Sequence, residues 1–352
     1  MAPSSLVSKS LSILMPLMLL LGCDPVSSGP AASRQSQGRQ ARGVLRGRSA
    51  TDPVFGADFP DPSVMQDADG RWYAFGTEGN GKQVQAATAE SVTGPWTLLT
   101  DANPLPTPPP WATGYLTWAP DVHRLADGSY LMYFSAQLVA DEARHGVGVA
   151  TASTVLGPYE PAAEPLAADV SIGGAIDASG FVDEGDGGRR YVLYKVDGNS
   201  LGTGGSCGNG DEPRAPTPIM LQEVSPEDGT TALGPAVQIL DRTDDDGPLV
   251  EAPSLLRTPG GLYLLFFSSG CYLDDDYRTS YAVASAVAGP YDRIRRTPLL
   301  RTGDALALTA PGGASAAAGG EGLVFHADCE YGRCMHVSLF EVDGNGDVTI
   351  GG

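Results

Sequence analysis

Tyr130-Leu131-Met132-Tyr133-Phe134, entered through the turn Asp127-Gly128, is one of five versions of the same short strand in this chain. The others are Trp72-Tyr73-Ala74-Phe75, Tyr191-Val192-Leu193-Tyr194, Leu262-Tyr263-Leu264-Leu265-Phe266-Phe267 and Leu323-Val324-Phe325-His326. Each follows its own turn, Asp69-Gly70, Gly187-Gly188, Gly260-Gly261 or Gly319-Gly320. Aromatic and β-branched residues bounded by such turns favour extended structure. The starts lie 58, 61, 71 and 61 residues apart, which leaves room in every unit for about four short antiparallel strands. A short apolar segment precedes each turn, so every unit opens with a hairpin. Later in the units, Gly94-Pro95-Trp96, Gly157-Pro158-Tyr159 and Gly289-Pro290-Tyr291, with the fainter Gly234-Pro235, turn the chain towards an aromatic expected to pack between sheets. No stretch has the length or 3.6-residue period of a core helix. The reading is an all-β chain, a five-bladed β-propeller spanning residues 53–352.

Outside that unit the composition changes. Residues 1–22 carry one cation, Lys9, then an apolar run from Leu11 to Leu21, which reads as an export signal too short to span a membrane. Leu20-Leu21-Gly22-Cys23 resembles a bacterial lipobox, so Cys23 is the expected lipidation site, with ordinary cleavage as the alternative. Residues 23–52, rich in Ser, Gly, Ala, Gln and Arg, read as a disordered tether. The expectation is an exported, monomeric protein whose only membrane contact is that lipid. Four cysteines then remain, Cys207, Cys271, Cys329 and Cys334, an even number in an oxidising compartment that allows three pairings. Cys329 and Cys334 are near enough to staple a hairpin end, and Cys207 in a Gly-rich loop is expected to pair with Cys271 at a strand end. With 22 Lys and Arg against 42 Asp and Glu, the net charge of −20 repels phosphate backbones and argues against nucleic acid as a partner.

In a propeller the first strand of every blade lines a central channel, so residues at strand entries converge. The entries read Pro60-Asp61-Pro62-Ser63-Val64, Trp118-Ala119-Pro120-Asp121-Val122, Ile176-Asp177-Ala178-Ser179-Gly180-Phe181, Glu251-Ala252-Pro253-Ser254-Leu255 and Ala310-Pro311-Gly312-Gly313-Ala314. Carboxylates gathered on a channel are unfavourable unless they are used. Two carboxyls flanking a site, one of them protonated, are what hydrolysis of a glycosidic bond requires.

Ala57-Asp58-Phe59-Pro60-Asp61-Pro62-Ser63, Trp118-Ala119-Pro120-Asp121-Val122, Ile176-Asp177 and Val250-Glu251-Ala252-Pro253-Ser254 together resemble the ordered signatures of glycoside hydrolase family 43, over about residues 53 to 350. Tyr194-Lys195-Val196-Asp197-Gly198-Asn199, Pro216 to Glu223 and Phe266 to Tyr272 are most similar to the branch containing exo-acting 1,5-α-L-arabinofuranosidases. The resemblance implies an inverting enzyme that releases L-arabinofuranose from a plant cell-wall arabinan or its oligosaccharides. Asp61 would be the general base, Glu251 the general acid, and Asp177 the carboxylate that orients the acid and raises its pKa. It implies Arg333 as a sugar contact, and Trp118 and Phe181 are candidate platforms for a sugar face. Asp121 either faces the channel as a further substrate contact or satisfies backbone amides.

No cofactor is required. The resemblance implies a histidine in the fifth unit beside a central ion, but Pro311-Gly312-Gly313-Ala314 has none and His326 lies on the next strand. No metal ligand is assigned. A structural calcium is left open by Asp244-Asp245-Asp246 and by Asp343-Gly344-Asn345-Gly346-Asp347, which lacks a distal glutamate. The competing readings are a β-xylosidase or endo-arabinanase of the same fold, and a non-catalytic glycan-binding propeller.

Overall fold

A computed structural model describes residues 52–295 and 297–351. The export signal, Cys23 and nearly all of the tether lie outside the described residues. Within them the chain is all-β, with six small antiparallel sheets, none closed on itself. The first sheet runs β1 (Ser63–Gln66), β2 (Trp72–Gly76), β3 (Gln85–Ala89), β4 (Thr97–Leu98). The second runs β5 (Ala112–Arg124), β6 (Tyr130–Leu138), β7 (His145–Ala152), β8 (Glu160–Pro161). The third runs β9 (Ala175–Asp183), β10 (Arg189–Val196), β11 (Ile219–Val224), β12 (Val237–Leu240). The fourth holds β13 (Val250–Arg257), β14 (Tyr263–Ser269) and β15 (Arg278–Ala284), and the fifth β16 (Gly312–Ala316), β17 (Leu323–Cys329) and β18 (Gly332–Ser338). A ribbon of β19 (Phe340–Val342) and β20 (Val348–Ile350) completes the chain.

The first strands touch in cyclic order: β1 meets β5, β5 meets β9, β9 meets β13, β13 meets β16, and β16 returns to β1. Five apolar cores fill the spaces between successive sheets, the fifth joining Val324 and Met335 of the last sheet to Trp72 and Ala74 of the first. Second strands therefore have an apolar core on each face. This is why β14 is buried along its whole length and why its sequence reads as a continuous apolar run instead of alternating. Trp96, Tyr159 and Tyr291 are buried in three of these cores, and each bonds a carbonyl four residues earlier, Val92, Val155 and Val287. They act as plugs between sheets, as the Gly-Pro-aromatic turns suggested. The segment ahead of β1 runs beside β18, with Val54 N–H on Met335 O and Phe59 N–H on Arg333 O, both at 2.8 Å.

One junction is repeated five times and sets the geometry of the channel. In or just ahead of each first strand, one equivalent residue is left-handed: Asp61 (φ 51°), Ala119 (43°), Asp177 (57°), Ala252 (51°) and Gly313 (58°). All five line one cavity. In four of the sheets the left-handed residue and its successor together face a single residue of the second strand, a β-bulge. The second strand contributes, opposite the residue before the bulge, a polar side chain: Thr77, Ser135, Lys195, Ser268 and His326. Four of these accept the left-handed amide of the next sheet. Ala119 N–H bonds Thr77 Oγ1, Asp177 N–H bonds Ser135 Oγ and Gly313 N–H bonds Ser268 Oγ at 2.9 Å, and Asp61 N–H bonds His326 Nδ1 at 3.0 Å. Each buried amide is thereby satisfied across the gap between sheets.

Candidate active site

Asp61 and Asp177 occupy the same left-handed place in sheets one and three, and their carboxyls enter the channel there. Glu251 does not share that place. Its equivalents are Pro60, Trp118, Ile176 and Gly312, one residue earlier, and Ala252 holds the left-handed position in sheet four. Although both stand at strand entries, Glu251 lies one residue ahead of the place that Asp61 holds. The three groups still converge, since Asp177 senses the charge of both Glu251 and Asp61.

The environments of the three carboxyls differ. Asp61 accepts from the Thr77 hydroxyl at 2.6 Å and lies 3.4 Å from Arg333 Nη1. Burial alone would raise its pKa, but Arg333, His326 and Thr77 outweigh burial and hold it below the ordinary carboxylate value. His326 is itself pushed down to about 3, by burial first and then by Arg333. The imidazole is therefore neutral near neutral pH, where Arg333 supplies the charge and His326 the acceptor for the Asp61 amide. Asp177 is moved the other way. Burial, then Glu251, pushes it up to about 8, while the Ala252 N–H at 3.0 Å on Oδ2 and Lys195 oppose the rise. Glu251 is buried, with Lys195 Nζ 3.0 Å from Oε2 and the Tyr277 hydroxyl 2.8 Å from Oε1. Lys195 also bonds Asp197 Oδ1 at 3.0 Å.

Packing gives this arrangement its shape. The Tyr277 ring lies parallel to His326, 5.8 Å between centroids, so the phenol on Glu251 and the imidazole on Asp61 form one stacked unit. Gly312 is required there, because a Cβ would fall 1.9 Å from the Tyr277 ring. The Arg333 guanidinium sits 4.8 Å from the centre of the exposed Tyr272 ring, a cation–π contact at the rim. Asp58 has a backbone role, accepting the Arg333 N–H at 2.7 Å. Trp118 is half-buried and stacks on His145, 3.8 Å between centroids.

One sequence expectation changes here. Phe181 is buried in the core between sheets three and four, against Tyr191 and Tyr263, and is no sugar platform. It lies four residues beyond Asp177, roughly 13 Å along the strand, and the bulge reverses which face such a residue presents. Asp121 satisfies a backbone amide and also lines the cavity: Oδ2 accepts Gly180 N–H at 2.7 Å and pairs with His123 Nε2 at 2.8 Å. Both disulfides are present, Cys207 with Cys271 and Cys329 with Cys334. The first ties the loop 201–216 to the residue beside Tyr272, and Ser206 adds a hydrogen bond to Asp274. The acidic runs are occupied internally, Asp246 by Arg293 and the Thr243 cap, Asp347 by Arg295 and Tyr281. Among the described residues no group of His, Cys, Asp or Glu is placed to hold a metal.

The sequence reading assigned no site role to Lys195, Tyr277, His326 or Thr77. A signal for three of them was present. Each strand-like run ends in a polar residue, Thr77, Ser135, Lys195, Ser268 or His326, and a lysine inside a buried strand is unfavourable without paired carboxylates.

A model of the family described as glycosyl hydrolases family 43 matches residues 50–346. The chain belongs to this family. Among curated relatives, a probable arabinan endo-1,5-α-L-arabinosidase C of Aspergillus oryzae is 28% identical over 210 residues, 60% of this chain and 58% of that protein. The extracellular endo-α-(1→5)-L-arabinanase 2 of Bacillus subtilis is 26% identical over 269 residues, 71% of this chain and 53% of that protein. A probable arabinan endo-1,5-α-L-arabinosidase A of Aspergillus flavus is 36% identical over 95 residues, so this chain spans only 28% of its length. Of solved structures, a thermostable family-43 glycoside hydrolase aligns with a TM-score of 0.68 at 22% identity, covering 84% of this chain and 93% of that one. An exo-1,5-α-L-arabinanase from a bovine ruminal metagenomic library aligns at 0.61 and 22%, covering 84% and 97%. At that identity the structural likeness speaks for the fold.

Proposed function

We propose that the ring of five sheets is a five-bladed β-propeller and that the protein is an exported hydrolase of arabinan or arabino-oligosaccharides, working with inversion. The observation that carries this reading is the division of labour among three converging carboxyls. Asp61 is kept ionised by Arg333, while Asp177 and Glu251 form a buried pair that retains a proton. In the proposed reaction Asp61 takes a proton from water as its oxygen attacks the anomeric carbon. Glu251 gives a proton to the departing glycosidic oxygen, and Asp177 orients Glu251 and raises its proton affinity. Arg333 and Trp118 contact the sugar. Inversion requires room for the water, so a separation of roughly 6.5–9.5 Å between the Asp61 and Glu251 carboxyls is expected. Arabinan as substrate is supported by the arabinan-cleaving activities for which the relatives above are named. Proton NMR of the first product settles the stereochemistry: β-arabinofuranose from an α-linkage supports inversion, and α-arabinofuranose rejects it.

We further propose release of single L-arabinofuranose units from chain ends, by a monomer anchored through lipidated Cys23. Support for exo action comes from the loop 201–216, pinned through Cys207–Cys271 beside the Tyr272–Arg333 rim, which would wall one end of the groove. The second reading, endo action, is favoured by the endo-acting names of those relatives. Early digestion of linear arabinan separates them: arabinose with little fall in viscosity supports the exo reading, and short oligosaccharides with collapsing viscosity support the endo reading.

A further inference from the structure

Lysine stands at one of five equivalent positions whose other occupants are Thr77, Ser135, Ser268 and His326. An ammonium has three donors and no acceptor, so Lys195 cannot receive the amide of the next sheet as the others do. Two rearrangements accompany it. The Ala252 N–H bonds Asp177 Oδ2 at 3.0 Å, and the buried ammonium bonds Glu251 Oε2 and Asp197 Oδ1, each at 3.0 Å. The single departure from the repeat thus connects Asp177, Lys195 and Glu251.

We infer that Lys195 is a positioning residue that sets the proton affinity of the Asp177–Glu251 pair, and that Asp197 tunes it by sharing the same ammonium. The inference rests on the acid role proposed above for Glu251. The groups facing this centre come from several elements: Asp177 on β9, Glu251 on β13, Asp197 just after β10, Tyr277 just before β15, and Asp61 ahead of β1 with its Arg333. His145 on β7 faces Asp197 and is neutral, pushed down to about 4 by burial. Burial, Glu251 and Asp61 favour the protonated form of Asp177. Lys195 favours the ionised form of Asp177, and both Lys195 and Tyr277 donate to the Glu251 carboxyl. Without the ammonium a buried carboxyl beside another would hold its proton too tightly to act as an effective acid near neutral pH. During turnover the Glu251 proton passes to the glycosidic oxygen as the C–O bond breaks, and Asp61 gains one from water. Solvent then reprotonates Glu251 and receives the proton of Asp61, while Lys195 keeps its three.

The test is the pH profile of kcat/KM for the full chain on linear arabino-oligosaccharides, whose poor leaving groups need the acid. A parallel titration follows the Asp and Glu carboxyls by carbon-13 NMR. Lys195→Met should move the alkaline limb and the carboxyl titration of the pair upward by about one to three pH units. Asp197→Asn leaves the ammonium to Glu251 alone and should move both downward. Opposite shifts are not produced by general structural damage. If both variants lose activity with the limb and the carboxyl titration unmoved, the inference is overturned. Should Lys195→Met fail to fold, the direction of the Asp197→Asn shift decides. Should the parent protein cleave no glycoside, the functional reading fails, and the carboxyl titrations still decide whether Lys195 governs the pair.

Discussion

Four of the five sheet-to-sheet junctions follow one rule, and the junction from the third sheet to the fourth does not. In the four, a hydroxyl or imidazole accepts a left-handed amide of the next sheet, which is ordinary satisfaction of a buried donor. In the fifth, Lys195 replaces the acceptor, Asp177 takes over the amide, and Glu251 appears one residue ahead of the left-handed place. The repeat supplies a rigid frame with two carboxyls in register, Asp61 and Asp177. The departure adds the third carboxyl together with the cation that balances it. Chemistry here comes from a single broken symmetry in a frame otherwise uniform.

The largest effect should follow from removing the members of the site that differ in charge. Asp61→Asn and Glu251→Gln should each lower kcat/KM on arabino-oligosaccharides by about 10²–10⁴-fold with the fold retained by circular dichroism. Aryl arabinofuranosides with good leaving groups should rescue Glu251→Gln far more than Asp61→Asn, because only the acid acts on the leaving group. Equal rescue of both would dissolve the distinction between the two carboxyls.

The second test reads the same contrast through pH. Asp61 must be ionised, so activity should rise with pH through a value below the ordinary carboxylate pKa of 3.8. The Asp177–Glu251 pair must keep its proton, so activity should fall through about 8, the value to which Asp177 is raised. The two steps belong to coupled groups and are read as macroscopic limbs. Asp177→Asn should bring the alkaline limb down, since it removes the like charge that holds the proton on Glu251. A limb unchanged in that variant would separate Asp177 from the acid.

Much of the frame was legible before any coordinates. Five runs with their turns mark the five sheets of the ring, and the Gly-Pro-aromatic turns mark residues that plug adjacent sheets. The register was also written in the entries: Asp61-Pro62-Ser63, Ala119-Pro120-Asp121, Asp177-Ala178-Ser179, Ala252-Pro253-Ser254 and Gly313-Ala314-Ser315 align residue for residue. That alignment already puts Glu251 one place early. Phe181 was not legible, because a bulge shifts the two-residue alternation and an aromatic on a first strand reads alike whether it faces channel or core. Tyr277 was not legible either. It reaches Glu251 from outside the repeated strands, and only the space left by Gly312 admits its ring.

An ordinary junction should respond differently from the altered one. Ser268→Ala orphans the buried Gly313 N–H, and stability should fall by about 1–3 kcal/mol in denaturant unfolding. The serine carries no charge, so the alkaline limb should stay in place, in contrast to Lys195→Met. A limb that moves as far with Ser268→Ala would mean that any disturbance of a junction retunes the acid, and the comparison between junctions would lose its content.

The smallest expected effect is the most specific to the repeat. Ala119 holds φ 43°, a conformation in which a Cβ crowds the following carbonyl by roughly 1–2 kcal/mol. In an ordinary strand Ala→Gly is destabilising by about 0.5–1 kcal/mol, through the freedom that glycine regains on unfolding. At Ala119 the relief of crowding opposes that entropy and is the larger of the two. Ala119→Gly should therefore be neutral or stabilise by up to about 1 kcal/mol. The measurement is a shift of the denaturation midpoint at constant slope, with activity unchanged. The same exchange at Asp61, in the same backbone conformation, should leave the fold equally content and remove activity. Clear destabilisation by Ala119→Gly would show that the left-handed places are not equivalent, and the division between a uniform frame and one altered junction would have to be redrawn.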